Sequence, residues 1–159
     1  MEQLQAAGTS SGAGAAESLI ATAREAAERA YSPYSGVRVG AAVLSVAGRV
    51  YAGCNAENAA YPLGHCAETA AIAAAVMAEG PALRIAAVAV WGESGDAVPL
   101  SISPCGGCRQ RIREHAADGA VPVHFRGPGG EIVTRSIEEL LPQPFLRCSL
   151  PPAPGGNGA

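Results

Sequence analysis

Two short motifs place three cysteines and one glutamate where metal chemistry is possible. They are Cys66-Ala67-Glu68 and, further along the chain, Pro104-Cys105-Gly106-Gly107-Cys108. Cys105 and Cys108 begin a predicted helix and lie on one face of it, although a C-x-x-C pair alone serves redox as well as metal roles. A helix N-terminus stabilises the thiolate, which is the form that binds metal. With Cys66 as a third thiolate, a tetrahedral zinc ion keeps one position open for water, which indicates a catalytic site.

Glu68 adds a proton-transfer group to this cluster. It follows Cys66 by two residues in the first turn of a predicted helix, so it lies near the metal without being needed as a ligand. A carboxylate in that position can take a proton from zinc-bound water and pass it on. The order C-x-E followed by P-C-x-x-C is a known signature of zinc-dependent deaminases.

From Tyr31 to Phe145 the sequence resembles the small, homotetrameric type of cytidine deaminase. The segments that carry the resemblance are YSPYSG, VGAAV, GCNAENAAYPLG, CAE, SPCGGCRQ and ELLPQPF. The resemblance implies zinc-dependent hydrolysis of cytidine or deoxycytidine to uridine or deoxyuridine, with release of ammonia. Glu68 would protonate N3 of the ring while hydroxide attacks C4, and would then carry a proton to the departing amine.

The same resemblance implies a set of substrate contacts. The backbone of Ala67 would lie against O2 of the base, and Asn55 and Glu57 would hydrogen-bond the ribose hydroxyls. Val37 takes the place of a phenylalanine that packs beside the sugar and base. Phe145 would cover the base bound in a neighbouring subunit, so we expect a homotetramer whose active sites are shared.

Three residues depart from the family pattern. Thr69 stands where an arginine usually follows the catalytic glutamate, Val37 replaces a phenylalanine, and Arg38 replaces the following proline. Three thiolates leave zinc with a net negative charge, which the usual arginine offsets by hydrogen-bonding the sulfurs. Without it, the two helix N-termini must contribute more, or Arg109 or another cation must compensate.

These departures leave other functions open. Blasticidin-S deaminases also have a non-arginine residue after C-A-E, and Val37 would enlarge the pocket. A modified or antibiotic cytosine nucleoside is therefore an alternative substrate. Blasticidin-S deaminases, however, lack the N-x-E-N segment. An editing deaminase of polynucleotides is disfavoured by the absence of lysine and the net charge of −3. A non-catalytic, zinc-stabilised nucleoside-binding protein would not need Glu68, but Thr69 keeps that alternative open. The related signature can use histidine as a zinc ligand, but His65 lies one residue before the ligand position, which Cys66 fills. We expect His65 to line the pocket near the ligands or to be exposed to solvent.

Hydrophobic periodicity predicts an α/β chain with a three-layer α/β/α architecture and a mixed sheet of about five strands. The first two strands are joined too tightly to be parallel. Predicted helices cover 17–31, 66–78 and 105–115, with a short helical turn at 136–141 in which Ser136 and Glu139 fit a capping box. Predicted strands cover 37–46, 49–53, 84–91, 121–125 and 131–134.

The length of 159 residues fits a single domain. We expect a flexible leader over 1–16, one deaminase domain over 17–149, and a disordered tail over 150–159. The chain has no apolar run long enough for a transmembrane helix, and its first residues lack the features of a signal peptide. Five cysteines without a secretion signal favour a reducing, cytoplasmic location. We expect no organic cofactor, no nucleic-acid polymer and no membrane as partners.

Overall fold

A six-stranded mixed sheet lies between two layers of helices in the computed structural model, which describes residues 12–150. The helices are α1 (Gly12–Ala27), α2 (Ala67–Glu79), α3 (Gly106–His115) and the short α4 (Ile137–Leu140). The strands are β1 (Arg38–Ser45), β2 (Val50–Cys54), β3 (Ile85–Glu93), β4 (Pro99–Leu100), β5 (Pro122–Arg126) and β6 (Ile132–Ser136). This arrangement confirms the predicted three-layer α/β/α fold.

The sheet has the order β2-β1-β3-β5-β6, and β4 pairs with the end of β3. All pairs are antiparallel except β3 with β5. β1 and β2 form a hairpin whose turn contains Gly48 at φ +79°, a conformation that glycine adopts without steric cost. β3 is central and buried along nearly its whole length, as expected for a strand covered on both faces.

Small residues let the helices approach the sheet closely. On one face, α1 packs through Ala23 and Ala27 against a cluster that includes Trp91. A Cβ at Gly40 would lie 1.9 Å from the carbonyl oxygen of Ala23, so a side chain there would push α1 away from β1. On the other face, α2 and α3 contribute to the larger cluster, Ile112 among others. The small residues thus let α1 pack closely against one face of the sheet, and α2 and α3 against the other.

Most predicted elements are present, with shifted ends. α1 begins at Gly12 and ends at Ala27, so the predicted start at residue 17 is wrong, and 12–16 are helical although they fall in the predicted leader. β4 was not predicted, because two residues carry no periodic signal. The capping box of α4 is confirmed: Ser136 Oγ accepts from the Glu139 N–H at 3.1 Å, and Glu139 Oε2 accepts from the Ser136 N–H at 2.7 Å.

The remaining predicted segments at the chain ends, 1–11 and 151–159, lie outside the described residues. Within the described part, none of the helices combines the length and the apolar character that crossing a membrane requires.

Candidate metal-dependent active site

Two helix N-termini bring three thiols together at one end of a cavity. Cys66 directly precedes α2, Cys105 directly precedes α3, and Cys108 lies in the first turn of α3. Their sulfur atoms all lie within 4.8 Å of one another, and the Cys66 and Cys105 sulfurs are 3.9 Å apart. Both cysteines that precede a helix have extended backbone, so the unpaired N–H groups of each first turn face the cluster.

The chemistry of these thiols fits a bound cation. Burial raises the pKa of Cys66 and of Cys108, and the nearby charge of Glu68 adds to both shifts. At Cys105 burial also raises the pKa, but hydrogen bonds from the Cys108 backbone N–H and from both neighbouring thiols together lower it. A positive ion between the sulfurs would hold all three as thiolates, and three sulfur ligands leave a zinc ion one open position.

Glu68 lies beside the thiols in the first turn of α2. It is 3% exposed and lines the same cavity. Burial raises the pKa of its carboxyl group, while its own backbone N–H, a hydrogen bond from the Cys108 thiol and the charge of Arg111 act in the opposite direction. A buried carboxyl group with a raised pKa accepts a proton more readily than an ordinary carboxylate and can return it to a substrate.

The cavity has a volume of about 550 Å³, which is in the range of small-molecule sites. The thiol end includes Ala67, which is fully buried. Val39, Val90 and Ile102 provide apolar wall. The polar end of the cavity is lined by Tyr34, Ser35, Asn55, Glu57, Asn58 and Tyr61, whereas His65, which also lines the cavity, directly precedes Cys66.

Glu57 is held at the polar end by donors from a single loop. Its carboxylate accepts hydrogen bonds from the Tyr34 N–H at 2.9 Å, the Ser35 N–H at 3.2 Å and the Ser35 hydroxyl. These bonds, the Ser35 hydroxyl first, lower the pKa of Glu57, although burial acts in the opposite direction. The carboxylate is therefore ionised at neutral pH and fixed in orientation.

Asn55 ties this end of the cavity to the sheet. Its side-chain amide accepts from the Val39 N–H at 2.7 Å and donates to the Val37 carbonyl at 3.0 Å. Ala56 and His65 exchange two backbone hydrogen bonds of 3.1 and 3.0 Å. Since His65 precedes Cys66, these bonds set the spacing between the polar end and the thiols.

The structure brings most of the predicted site residues to one cavity. Asn55, Glu57, Ala67 and Glu68 line it together with Cys66 and Cys105, and the Cys108 sulfur lies within 4.8 Å of the other two sulfurs. Val37 and Phe145 are not among its lining residues. Val39 occupies the wall instead of Val37, and Phe145 is 59% exposed outside the cavity of its own chain.

Arg109 does not compensate for the missing arginine by contacting the thiols. Its guanidinium donates to the Pro104 carbonyl at 2.8 Å, the Leu140 carbonyl at 3.0 Å and the Ser103 hydroxyl at 3.2 Å. It therefore stabilises the loop that enters the cluster. The cation whose charge reaches Glu68 is Arg111, one turn after Cys108 on α3, and the two helix N-termini supply further positive potential.

Several residues that line the cavity were not predicted as site residues. Tyr34 and Ser35 belong to YSPYSG and Asn58 follows Glu57, so the motifs contained them without indicating their orientation. Val90 and Ile102 come from β3 and from the segment after β4, and no local pattern separates them from other core residues.

Three convergent thiols beside a buried carboxyl group, at the end of a partly apolar cavity, define a metal-dependent hydrolase. The family model of the cytidine and deoxycytidylate deaminase zinc-binding region matches residues 14–124. The chain belongs to this family and is a hydrolase that acts on C–N bonds.

Similar proteins agree with this assignment in sequence and in fold. A cytidine deaminase of Sporosarcina psychrophila is 40% identical over 134 residues, covering 84% of this chain and 93% of the relative. The crystal structure of cytidine deaminase from Burkholderia pseudomallei has a TM-score of 0.70 at 39% identity, covering 81% of this chain and 98% of that one. The structure of the Mycobacterium tuberculosis cytidine deaminase has a TM-score of 0.65 at 37% identity, covering 81% and 95%.

Proposed function

We propose that the chain deaminates cytidine and deoxycytidine, replacing the exocyclic amino group with oxygen and releasing ammonia. The observation that carries this proposal is the pairing of two ends in one cavity. The thiol cluster and the buried Glu68 form one end, and the ionised Glu57 forms the other. The named relatives are cytidine deaminases, which supports a cytosine nucleoside as the ligand that spans the two ends.

The thiol end supports proton transfer during hydrolysis. Cys66, Cys105 and Cys108 would hold a zinc ion, which would supply Lewis acidity and lower the pKa of a bound water molecule. Glu68 then accepts the proton of the attacking water and delivers it to N3 of the ring. It would then take the second proton from the hydroxyl group added at C4 and pass it to the departing amine, which leaves as ammonia; its raised pKa suits this role.

The middle of the cavity suits a flat pyrimidine ring. The backbone N–H of Ala67 lies in the first turn of α2 and has no acceptor within the helix, so it is available to O2 of the base. Val39 and Val90 line the cavity near this turn. Apolar walls of this kind exclude water from the reacting ring and strengthen the hydrogen bonds made to it.

The polar end suits the sugar. Glu57 is an ionised acceptor held by three donors, and Asn55 lies beside it. Hydroxyl groups of ribose donate readily to a fixed carboxylate, and hydrogen bonds to charged groups are stronger than neutral ones. We place the ribose hydroxyls on Glu57 and Asn55 for this reason.

The charge of the cavity favours an unphosphorylated nucleoside. Its lining includes Glu57 and Glu68 and no arginine, and the whole chain contains no lysine. A phosphate group would enter a negative environment without a cationic partner. Deoxycytidylate and polynucleotides are therefore disfavoured as substrates, although the family name includes the first.

A modified nucleoside has weaker support from the structure. That alternative rested on Thr69 after the glutamate and on a pocket enlarged at Val37, but the cavity wall contains Val39 instead of Val37. Retention of Glu68 at the thiol cluster likewise argues against a binding protein without turnover, because a structural zinc site needs no buried carboxyl group.

We further propose a homotetramer with shared sites. Phe145 is 59% exposed. Tyr61 (79%), which lines the cavity, and Leu63 (70%), which follows Tyr61 by two residues, are exposed as well. Tyr61 packs edge-on against Tyr34, with ring centroids 6.4 Å apart. Exposed apolar residues around a cavity mouth are typical of an interface. A second subunit that covers this mouth and contributes Phe145 would enclose the base.

A cytoplasmic location follows from the same chemistry. The three thiols must stay reduced to bind metal, and the described cysteines are all free. Reducing compartments maintain this state.

An ultraviolet assay tests the activity directly. Zinc-loaded protein is incubated with cytidine, deoxycytidine, deoxycytidylate, cytosine and a modified cytosine nucleoside, and loss of the amino chromophore is followed. We expect turnover of the two nucleosides, little of the nucleotide, and a large loss in Glu68→Gln. Turnover of none, with Glu68→Gln indistinguishable from wild type, would overturn the proposal.

Subunit complementation tests the shared site. Chains carrying Glu68→Gln and Phe145→Ala are co-expressed with different tags, and the hybrid assembly is isolated. Each variant alone is expected to be impaired, whereas the hybrid contains sites with one intact Glu68 and one intact Phe145 and should recover activity. Undiminished activity of Phe145→Ala in a clean monomer would rule out the shared site.

A further inference from the structure

The C-terminal segment that carries Phe145 is attached to the helix that carries the thiol pair. Two consecutive residues of α3, Arg109 and Gln110, make this attachment. Arg109 bonds the Leu140 carbonyl at the end of α4, as well as the loop before Cys105. Gln110 bonds the backbone of Phe145. The two residues that make the attachment therefore directly follow Cys108.

The bond between Gln110 and Phe145 has two parts. Gln110 Nε2 donates to the Phe145 carbonyl at 2.7 Å, and the Phe145 N–H donates to Gln110 Oε1 at 3.0 Å. The side-chain amide thus pairs with both peptide groups of one residue, as a neighbouring β-strand would. An amide is needed for this geometry, because a carboxylate lacks the donor and an aliphatic side chain lacks both groups.

The segment has little else to fix it. Among the described residues, these two bonds are the main-chain hydrogen bonds of 142–145. The Phe145 ring is 59% exposed, so packing within its own chain does not hold it. A backbone fixed at one point with an exposed aromatic side chain is suited to present that ring to another surface.

We propose that Gln110 is a positioning residue that fixes Phe145 on α3, so that the ring is presented to the cavity of a neighbouring subunit. The inference rests on the proposed shared site, which it deepens. Gln110 acts through Phe145 and touches no reacting atom. Loss of the two bonds should free the segment, weaken substrate binding in the neighbouring cavity, and leave the thiol cluster and Glu68 unchanged.

Three variants separate this role from a general structural one. Gln110→Met keeps the size of the side chain and removes both bonds. Gln110→Glu keeps the acceptor for the Phe145 N–H and removes the donor, and it serves as a second variant if Gln110→Met fails to fold. Gln143→Met is the matched control, since Gln143 is an exposed glutamine in the same segment.

Hydrogen exchange of the zinc-loaded protein, followed over 141–147, measures the attachment itself. We expect exchange at the Phe145 amide to be roughly tenfold faster in Gln110→Met, intermediate in Gln110→Glu, and unchanged in Gln143→Met. Steady-state assays with cytidine should show KM raised roughly tenfold in Gln110→Met with kcat within about twofold. Zinc content should remain that of the wild type.

Failure of this inference and failure of the proposed function would give different results. Unchanged exchange in Gln110→Met would overturn the inference whatever the activity. Faster exchange with an unchanged KM, in a wild type that deaminates cytidine, would also overturn it, because Phe145 would then not serve the site. Absence of turnover in the wild type would defeat the proposed function, and the exchange data would still decide whether Gln110 holds Phe145.

Discussion

Glu57 and Glu68 lie in the same cavity and have opposite environments. Glu57 is half-buried and accepts three hydrogen bonds from residues 34 and 35, which lower its pKa. Glu68 is 3% exposed beside the thiols, and burial raises its pKa. One residue type is thus kept ionised at the polar end and made easier to protonate at the thiol end.

The difference assigns a role to each carboxylate. A group that stays charged and fixed is suited to bind hydroxyls, whereas a buried group whose pKa is raised is suited to move protons. The proton chemistry at the metal end depends on the burial of Glu68, and the charge at the sugar end depends on the hydrogen-bond donors to Glu57. Variants at the two ends should therefore fail in different kinetic parameters.

The largest effect is expected from removing a sulfur ligand. Cys105→Ala leaves two thiols, so the affinity for zinc should fall more than about 100-fold, since even residues that only support ligands contribute tenfold to 100-fold. Zinc content after dialysis and turnover of cytidine should both be lost. Cys148→Ala is the matched control, because Cys148 is an exposed cysteine outside the cluster and should retain both.

Replacement of the proton-transfer group comes next. Glu68→Gln keeps the shape of the side chain and removes its proton chemistry, so kcat should fall about 10²–10⁴-fold. KM and zinc content should stay close to those of the wild type. A comparable fall in zinc content would mean that Glu68 is a ligand, against the role assigned here.

Replacement of the sugar-end carboxylate should act on binding. Glu57→Gln retains an acceptor without the charge, and KM for cytidine should rise about tenfold to 100-fold with a smaller change in kcat. Steady-state kinetics of both variants should show a change mainly in KM for Glu57→Gln and mainly in kcat for Glu68→Gln. Equal effects of both variants on kcat would remove the distinction between the two ends.

The smallest effect is expected from the donor that holds Glu57. Ser35→Ala removes the hydroxyl that most lowers the pKa of Glu57, so KM should rise about twofold to tenfold. In the wild type the contribution of Glu57 is present above the ordinary carboxyl pKa and is lost as pH falls through its lowered folded value. The loss of binding on acidification should therefore begin at a higher pH in Ser35→Ala than in wild type. Coincident pH profiles would contradict this role of Ser35.

Local spacing explains what could be predicted. The thiol cluster follows from Cys66, Cys105 and Cys108 at the starts of two helices, because a helix start orients its first residues in a known way. The capping box at Ser136 and the buried β3 are likewise local patterns. Most elements were found for this reason, with errors at their ends, as at Gly12.

Features that depend on distant contacts could not be predicted. Val37 lies just before β1 and Val39 lies within it, and where the chain enters β1 depends on the pairing of that strand with both neighbours. Arg109 lies beside the cysteines in sequence, yet it reaches Leu140. The pairing of Gln110 with Phe145 joins residues on separate elements and leaves no periodic signal.

The central claim is that three sulfurs hold zinc with one position open to water beside Glu68. Zinc K-edge X-ray absorption of the loaded wild type tests it most directly, with His65→Ala as comparison because His65 lines the cavity next to Cys66. We predict three sulfur ligands at about 2.3 Å and one oxygen ligand at about 2.0 Å, without an imidazole signature and unchanged in His65→Ala. Four sulfur ligands, or loss of the fourth ligand in His65→Ala, would contradict a water-binding catalytic zinc.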